Sequence, residues 1–134
     1  MQDRPRVLLA DDHELMRKRV KAILDPEFNV VGAVENGQAL VDATALLNPN
    51  VLVVDISMPV LNGIEAIRQI KKAASIAKVV FLTVDEDSDT VAICREVGAL
   101  AYVVKAHLAS DLISAIRVAL IDRTFVSPIV PWHN

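Results

Sequence analysis

Five polar side chains stand in or just after short apolar runs of the sequence. Asp11 and Asp12 follow Val7-Leu8-Leu9-Ala10, Asp55 follows Val51-Leu52-Val53-Val54, Thr83 lies within Val79-Val80-Phe81-Leu82-Thr83-Val84, and Lys105 follows Ala101-Tyr102-Val103-Val104. Each type has a chemical use. Carboxylates gathered in one place hold a small hard cation such as Mg²⁺, and the cation cancels their mutual repulsion. A remaining carboxylate can attack phosphorus as a nucleophile. A hydroxyl and an ammonium can hold the oxygens of a transferred phosphoryl group. Together they can do this only if the fold brings them to one rim.

The apolar runs are what would position them. Arg6–Ala10, Asn29–Val34, Val51–Val54, Val79–Val84 and Ala101–Val104 are rich in β-branched residues, and several are apolar at consecutive positions. A strand buried on both faces reads this way, as in a parallel sheet covered by helices. Helical periodicity fills the intervals: Glu14–Leu24, Gln38–Leu47, Gly63–Ala74, Ser88–Val97 and Ala109–Ile121. Five β–α pairs in register predict a doubly wound α/β sheet of five parallel strands. Ligands of such sheets bind at the carboxyl ends of the strands, where the five polar residues fall. After Ile121 the pattern breaks, and Pro128 and Pro131 suit an extended segment. Residues 1–122 are therefore expected to form the domain, and 123–134 a C-terminal tail or the start of a linker.

These residues resemble the receiver domain of bacterial response regulators. The resemblance is carried by Asp11-Asp12 after the first strand, by Asp55-Ile56-Ser57-Met58-Pro59-Val60-Leu61-Asn62-Gly63, by Thr83 and by Lys105, and it covers roughly residues 5–122. It implies a flavodoxin-like fold with strand order 2-1-3-4-5. It makes Asp55 the phosphoacceptor, and it makes Asp12, Asp11 (mainly through water), Asp55 and the backbone carbonyl of Ser57 the holders of Mg²⁺. Thr83 would donate a hydrogen bond to the phosphoryl group, Lys105 would pair with it, and Tyr102 matches the aromatic that moves with Thr83. The implied partner is a sensor histidine kinase or phosphotransfer protein, with homodimerisation on phosphorylation. Asp-Asp-His-Glu at 11–14 and Phe125-Val126-Ser127-Pro128 look most like receivers of LuxR/NarL-type regulators, whose output is transcription through a separate helix-turn-helix domain. Two positions depart from the commonest pattern: Ala106 replaces the frequent proline after the lysine, and Val84 is bulkier than the usual Ala, Ser or Gly, which could narrow access to the phosphoryl group and leaves the reaction rates open. No catalysis is expected beyond the domain's own phosphotransfer and dephosphorylation.

Composition bounds the alternatives. The chain has 134 residues, 53% of them hydrophobic but only 4% aromatic, so its core must be aliphatic. A net charge of −3 predicts no direct nucleic-acid binding, and the single Cys94 excludes a disulfide framework. No apolar run approaches the roughly 18 residues of a membrane span, and no signal segment opens the chain, so a cytoplasmic protein is expected. A dinucleotide enzyme would need glycines after the first strand, where this chain is acidic. A phosphatase of the haloacid-dehalogenase type also uses an aspartyl nucleophile and Mg²⁺, but resembles Asp-x-Asp rather than adjacent acids. A receiver-like binding module that is never phosphorylated is the remaining alternative. Plainer roles compete residue by residue. Asp11 could cap the first helix with Glu14; Tyr102 could be core; Arg17, Lys18, Arg19 and Lys21 could form a solvated face. His13, His107 and His133 have no second ligand at metal spacing, Cys94 reads as a buried hydrophobe, and Val118 and Ile121 could extend a self-association surface.

Overall fold

The computed structural model describes residues 4–84 and 87–127. Its elements run β1 (Arg6–Ala10), α1 (Glu14–Leu24), β2 (Asn29–Val34), α2 (Gly37–Leu47), β3 (Val51–Asp55), α3 (Gly63–Lys72), β4 (Lys78–Thr83), α4 (Ser88–Glu96), β5 (Ala101–Val104), α5 (Leu108–Leu120) and β6 (Phe125–Val126), with a short 3-10 turn over Lys105–His107. All neighbouring strands pair in parallel, in the order 2-1-3-4-5-6. The expected five-stranded sheet therefore has a sixth strand. Phe125 pairs with Ala101 and Val126 with Tyr102. Residues 128–134, on which most of the expected tail falls, lie outside the described residues.

Strand alternation divides the core into two layers. Leu8, Leu52, Val54, Phe81 and Tyr102 form one buried cluster with Leu40 of α2, Ile67 and Ile70 of α3, and Val91 and Cys94 of α4. Val7, Leu9, Val53, Val80, Leu82 and Val103 form the other with Val20 and Leu24 of α1 and Leu112 and Ile116 of α5. Every residue of β3 is buried, which is why that strand shows no alternation in sequence. Helix ends obey local chemistry. Asn36 and Asn62 accept from the backbone N–H of Ala39 and Glu65, capping α2 and α3. Asn48, at φ 47°, stops α2 one residue before Pro49.

The sixth strand is held by a buried polar bridge. Ser127 N–H donates to the carbonyl of Tyr102 at 3.1 Å. The Ser127 hydroxyl accepts from Val104 N–H at 3.0 Å and donates to Asp111 Oδ2 at 2.9 Å. Asp111 belongs to α5, so strand β5, helix α5 and the end of the described chain meet at one hydroxyl.

Candidate functional site

The carboxyl ends of β1, β3, β4 and β5 open into a cleft of about 380 Å³ lined by Asp12, His13, Asp55, Ser57, Thr83, Val84 and Lys105, among others. The fold thus brings Asp12, Asp55, Ser57, Thr83 and Lys105 to one rim. Asp11 lies beneath, with no exposed surface. Lys105 Nζ stands 3.0 Å from Asp11 Oδ2 and 3.3 Å from Asp55 Oδ2, so a single buried ammonium serves two buried carboxylates. Burial pushes the Asp55 carboxyl from 3.8 up to about 6; Lys105 opposes that rise, Asp11 adds to it, and the Ser57 N–H donated to Asp55 Oδ1 opposes it again.

Local backbone geometry fixes each acid. Asp11 directly follows β1, and its Oδ1 accepts the backbone N–H of His13 at 2.9 Å, turning the chain into α1. The capping position of α1 is His13 and no side chain caps it, so the capping box of Asp11 with Glu14 does not form. Arg17 donates to the Asp11 carbonyl at 2.8 Å, so it belongs to the support of the site and not to the solvated face with Lys18 and Arg19. Asp55 ends β3. The loop after it folds back tightly: Gly63 N–H donates to the Ile56 carbonyl at 2.8 Å, and Leu61 N–H to the Pro59 carbonyl at 2.7 Å. Val60, between them, takes φ 68°, a strained value for a β-branched residue. A Cβ on Gly63 would lie 2.3 Å from the Asp55 carbonyl oxygen, so only glycine fits where α3 starts against the site.

The donor set suits a divalent cation. Asp11, Asp12, His13 and Asp55 each offer a ligand atom, and these atoms lie within 4.8 Å of one another. Asp11 Oδ2 and Asp12 Oδ1 are buried atoms that accept no hydrogen bond among the described residues. Lys105 Nζ faces Asp11 Oδ2 at 3.0 Å and His13 Nδ1 faces Asp12 Oδ1 at 3.0 Å, so a cation in the cleft would add to a compensation that side chains already begin. Asp11, Asp12 and Asp55 are the carboxylates that could hold a divalent cation there.

Other expected roles fall out as follows. Thr83 is 4% exposed at the end of β4, and Val84 beside it is 75% exposed on the cleft rim. Tyr102 is fully buried and packs in the layer of Phe81 and Val91. Cys94 is buried, and burial pushes its thiol up to about 12, which leaves it protonated and inert. His107 precedes α5 and is not among the side chains grouped with the acids, and His133 lies outside the described residues. His13 is the residue that sequence spacing missed. Its Nδ1 lies 3.0 Å from Asp12 Oδ1 and 3.6 Å from Asp11 Oδ1. Direct adjacency to the acid pair was the only sequence signal, because the third acid arrives from β3. Ile121 is 65% exposed and Val118 half-buried.

Comparison with known proteins agrees with this geometry. The family model of the response regulator receiver domain matches residues 7–117. The transcriptional regulatory protein DegU of Brevibacillus brevis is 36% identical over 130 residues, covering 96% of this chain and 55% of DegU. The chain thus spans about half the length of the curated relatives it matches. A LuxR-family two-component response regulator from Aurantimonas sp. SI85-9A1 superposes with a TM-score of 0.89 at 27% identity, covering 94% of this chain and 91% of that one. The isolated receiver domain of RcsB from Salmonella enterica serovar Typhimurium, solved with the phosphomimetic BeF3-, gives 0.87 at 26% identity, with 96% of each chain covered. By its sequence and its fold alike, the chain belongs to the response regulator receiver domain family.

Proposed function

We propose that this domain is a phosphorylation switch that accepts a phosphoryl group onto Asp55 from a sensor histidine kinase or phosphotransfer protein. The observation that carries the reading is Lys105, held between two buried carboxylates at the cleft where Thr83 also ends its strand. In the transfer, an Asp55 oxygen forms a bond to phosphorus as the bond from phosphorus to the donor's imidazole nitrogen breaks. The imidazole leaves with the bonding pair and takes a proton from solvent. Lys105 pairs with a phosphoryl oxygen, and the Thr83 hydroxyl donates to another. Mg²⁺, when bound by Asp11, Asp12, Asp55 and the Ser57 carbonyl, supplies charge neutralisation. Water later attacks phosphorus and returns the carboxylate, so the domain catalyses only its own phosphorylation and dephosphorylation.

The relatives are named as transcriptional regulators and are about twice as long as the matched segment. The output proposed here is transcription control through a DNA-binding domain outside this chain, with dimerisation of the receiver as the signal. A domain of net charge −3 has no electrostatic footprint for DNA itself. Among the described residues no helix is long and apolar enough to cross a membrane. The location proposed, as for a partner of kinase domains, is the cytoplasm.

Incubation with Mg²⁺ and a small phosphodonor, followed by intact mass, tests the reading. One phosphoryl group is expected on the wild type and none on Asp55→Asn. Undiminished labelling of Asp55→Asn would move the chemistry to another residue, and an unlabelled wild type would favour a binding module that is never phosphorylated.

A further inference from the structure

The chain has six lysines, and the fold treats one of them unlike the others. Lys18, Lys21, Lys78 and Lys105 each have a carboxylate partner, in Glu14, Asp25, Asp122 and Asp11 respectively. A carboxylate nearby favours the charged ammonium, and so does the water around exposed Lys72. Lys71, in the last turn of α3, is half-buried, and its side chain makes no ion pair or hydrogen bond among the described residues. A Cβ on Gly98 would lie 3.3 Å from Lys71 Cε and 3.8 Å from its Nζ, so the stem lies across the turn that leaves α4. There it borders a cavity of about 500 Å³ between α3 and α4, with Arg68, Lys72 and Val97 beside it. Glu65 and Glu96 also line this cavity, but Glu65 pairs with Arg68 and neither comes within ion-pair distance of Lys71. Burial lowers the Lys71 amine from its ordinary 10.5, and the charge of Lys78 adds to the fall.

We propose that Lys71 is a modification site, at which an acyl phosphate transfers its acyl group to the side-chain amine. The inference goes beyond the switch reading and does not depend on it. An acyl phosphate has two electrophilic atoms, phosphorus and the acyl carbon. A carboxylate such as Asp55 suits attack on the first, and an uncharged amine suits attack on the second. Desolvation and cationic neighbours are what activate a lysine as a nucleophile, and Lys71 has both. Its nitrogen forms a bond to the acyl carbon, and the bond from that carbon to the phosphate oxygen breaks. Phosphate leaves with the bonding pair, and the surplus proton on nitrogen goes to solvent. The products are an amide and inorganic phosphate, with nothing oxidised or reduced. Arg68 and Lys72 stand on the same cavity, and their charge favours approach of the donor's anionic phosphate. The amide no longer carries a charge, so the product sheds the cost of a half-buried ammonium.

Acetyl phosphate is the probe, used on wild type, Lys71→Arg and Asp55→Asn. Hydroxylamine then strips any phosphoryl group from aspartate and leaves amides, and peptide mass mapping over time gives the acetylation rate of each lysine. In the folded wild type Lys71 should react at least about threefold faster than exposed Lys72, since each unit of pKa is worth tenfold in neutral amine. Its rate should also climb less steeply than that of Lys72 between pH 8 and 10, because its neutral form is populated earlier. Lys71→Arg should lose the label with Lys18 and Lys21 unchanged, and circular dichroism checks that the variant is folded. In guanidinium chloride the Lys71 rate should fall to that of Lys72, since the cavity is then gone. Equal rates at Lys71 and Lys72 in the folded protein would overturn the inference, and so would a preference that persists in denaturant. Asp55→Asn should keep the Lys71 label. An unlabelled Lys71 beside a phosphorylated Asp55 would overturn this site and leave the switch reading standing; a labelled Lys71 in a wild type never phosphorylated at Asp55 would do the reverse.

Discussion

Asp55 and Asp11 share Lys105, and the sharing leaves Asp55 undercompensated. A carboxylate with its own cation would be held below the usual range, but burial dominates and Asp55 rises to about 6. The fold therefore favours the protonated form. Below the unfolded value of 3.8 both states carry the proton and nothing is lost; above about 6 both states are ionised and the native state bears the whole cost. The rise corresponds to about 3 kcal/mol at 1.36 kcal/mol per pH unit. Asp55→Asn removes the ionisation while keeping the shape. In the absence of divalent metal, the variant should be more stable than wild type at pH 7.5, and the gap should close as pH falls from 6 to 4. Urea unfolding of both proteins across that range checks it. A gap that is constant with pH would show that the Asp55 carboxyl is not destabilised by burial.

At the scale of elements, the sixth strand is the informative one. Phe125–Val126 is two residues long, too short for periodicity to announce, and Pro128 follows it. What makes it a strand is the Ser127 hydroxyl bridging Val104 N–H and Asp111, a contact between positions 23 and 16 residues apart in the chain. Removing the hydroxyl with Ser127→Ala leaves a buried N–H and a buried carboxylate oxygen unpaired, which should cost about 1–3 kcal/mol. Denaturant unfolding should show that loss, and hydrogen exchange should quicken at Val104; a loss below about 0.5 kcal/mol would mean that water replaces the hydroxyl. The five longer strands were legible because parallel strands buried on both faces read as continuous apolar runs. Asp55 and Lys105 were legible because each directly follows such a run, whereas Thr83, with Val84 after it, is marked only by the family resemblance. The partnerships of His13 and Arg17 were not, since they depend on how the turn after β1 faces its own helix, and spacing carries no record of that. The strained φ of Val60 was hidden for the same reason, because valine gives no hint of a turn that suits glycine.

At the scale of the molecule, the question is how a change at the cleft reaches the surface formed by α4, β5 and α5. Strand pairing sets Thr83 opposite Val104 and Phe81 opposite Tyr102, so Tyr102 is the diagonal neighbour of Thr83 on one face of the sheet. The Tyr102 ring is fully buried in this structure, so any movement starts from the interior, as a repacking of the layer that holds Phe81 and Val91. Close-packed layers respond to such a push by changing arrangement rather than by deforming smoothly. On Val104, one residue before Lys105, the Ser127 bridge ties the same strand to α5 and to the exit of the chain. A phosphoryl group on Asp55 would draw Thr83 and Lys105 toward it through charge-assisted hydrogen bonds of about 1.5–3 kcal/mol each. Turning a mostly inactive population into a mostly active one needs about 5.5 kcal/mol. Both contacts together therefore approach the requirement, and neither suffices alone. Thr83→Ala should still accept a phosphoryl group on Asp55, because the carboxylates and Lys105 remain. It should not change association state on phosphorylation, whereas wild type should shift toward dimer in sedimentation or light scattering. A phosphorylated Thr83→Ala that dimerises like wild type would remove Thr83 from the route and leave Lys105 and β5 as the carriers of the signal.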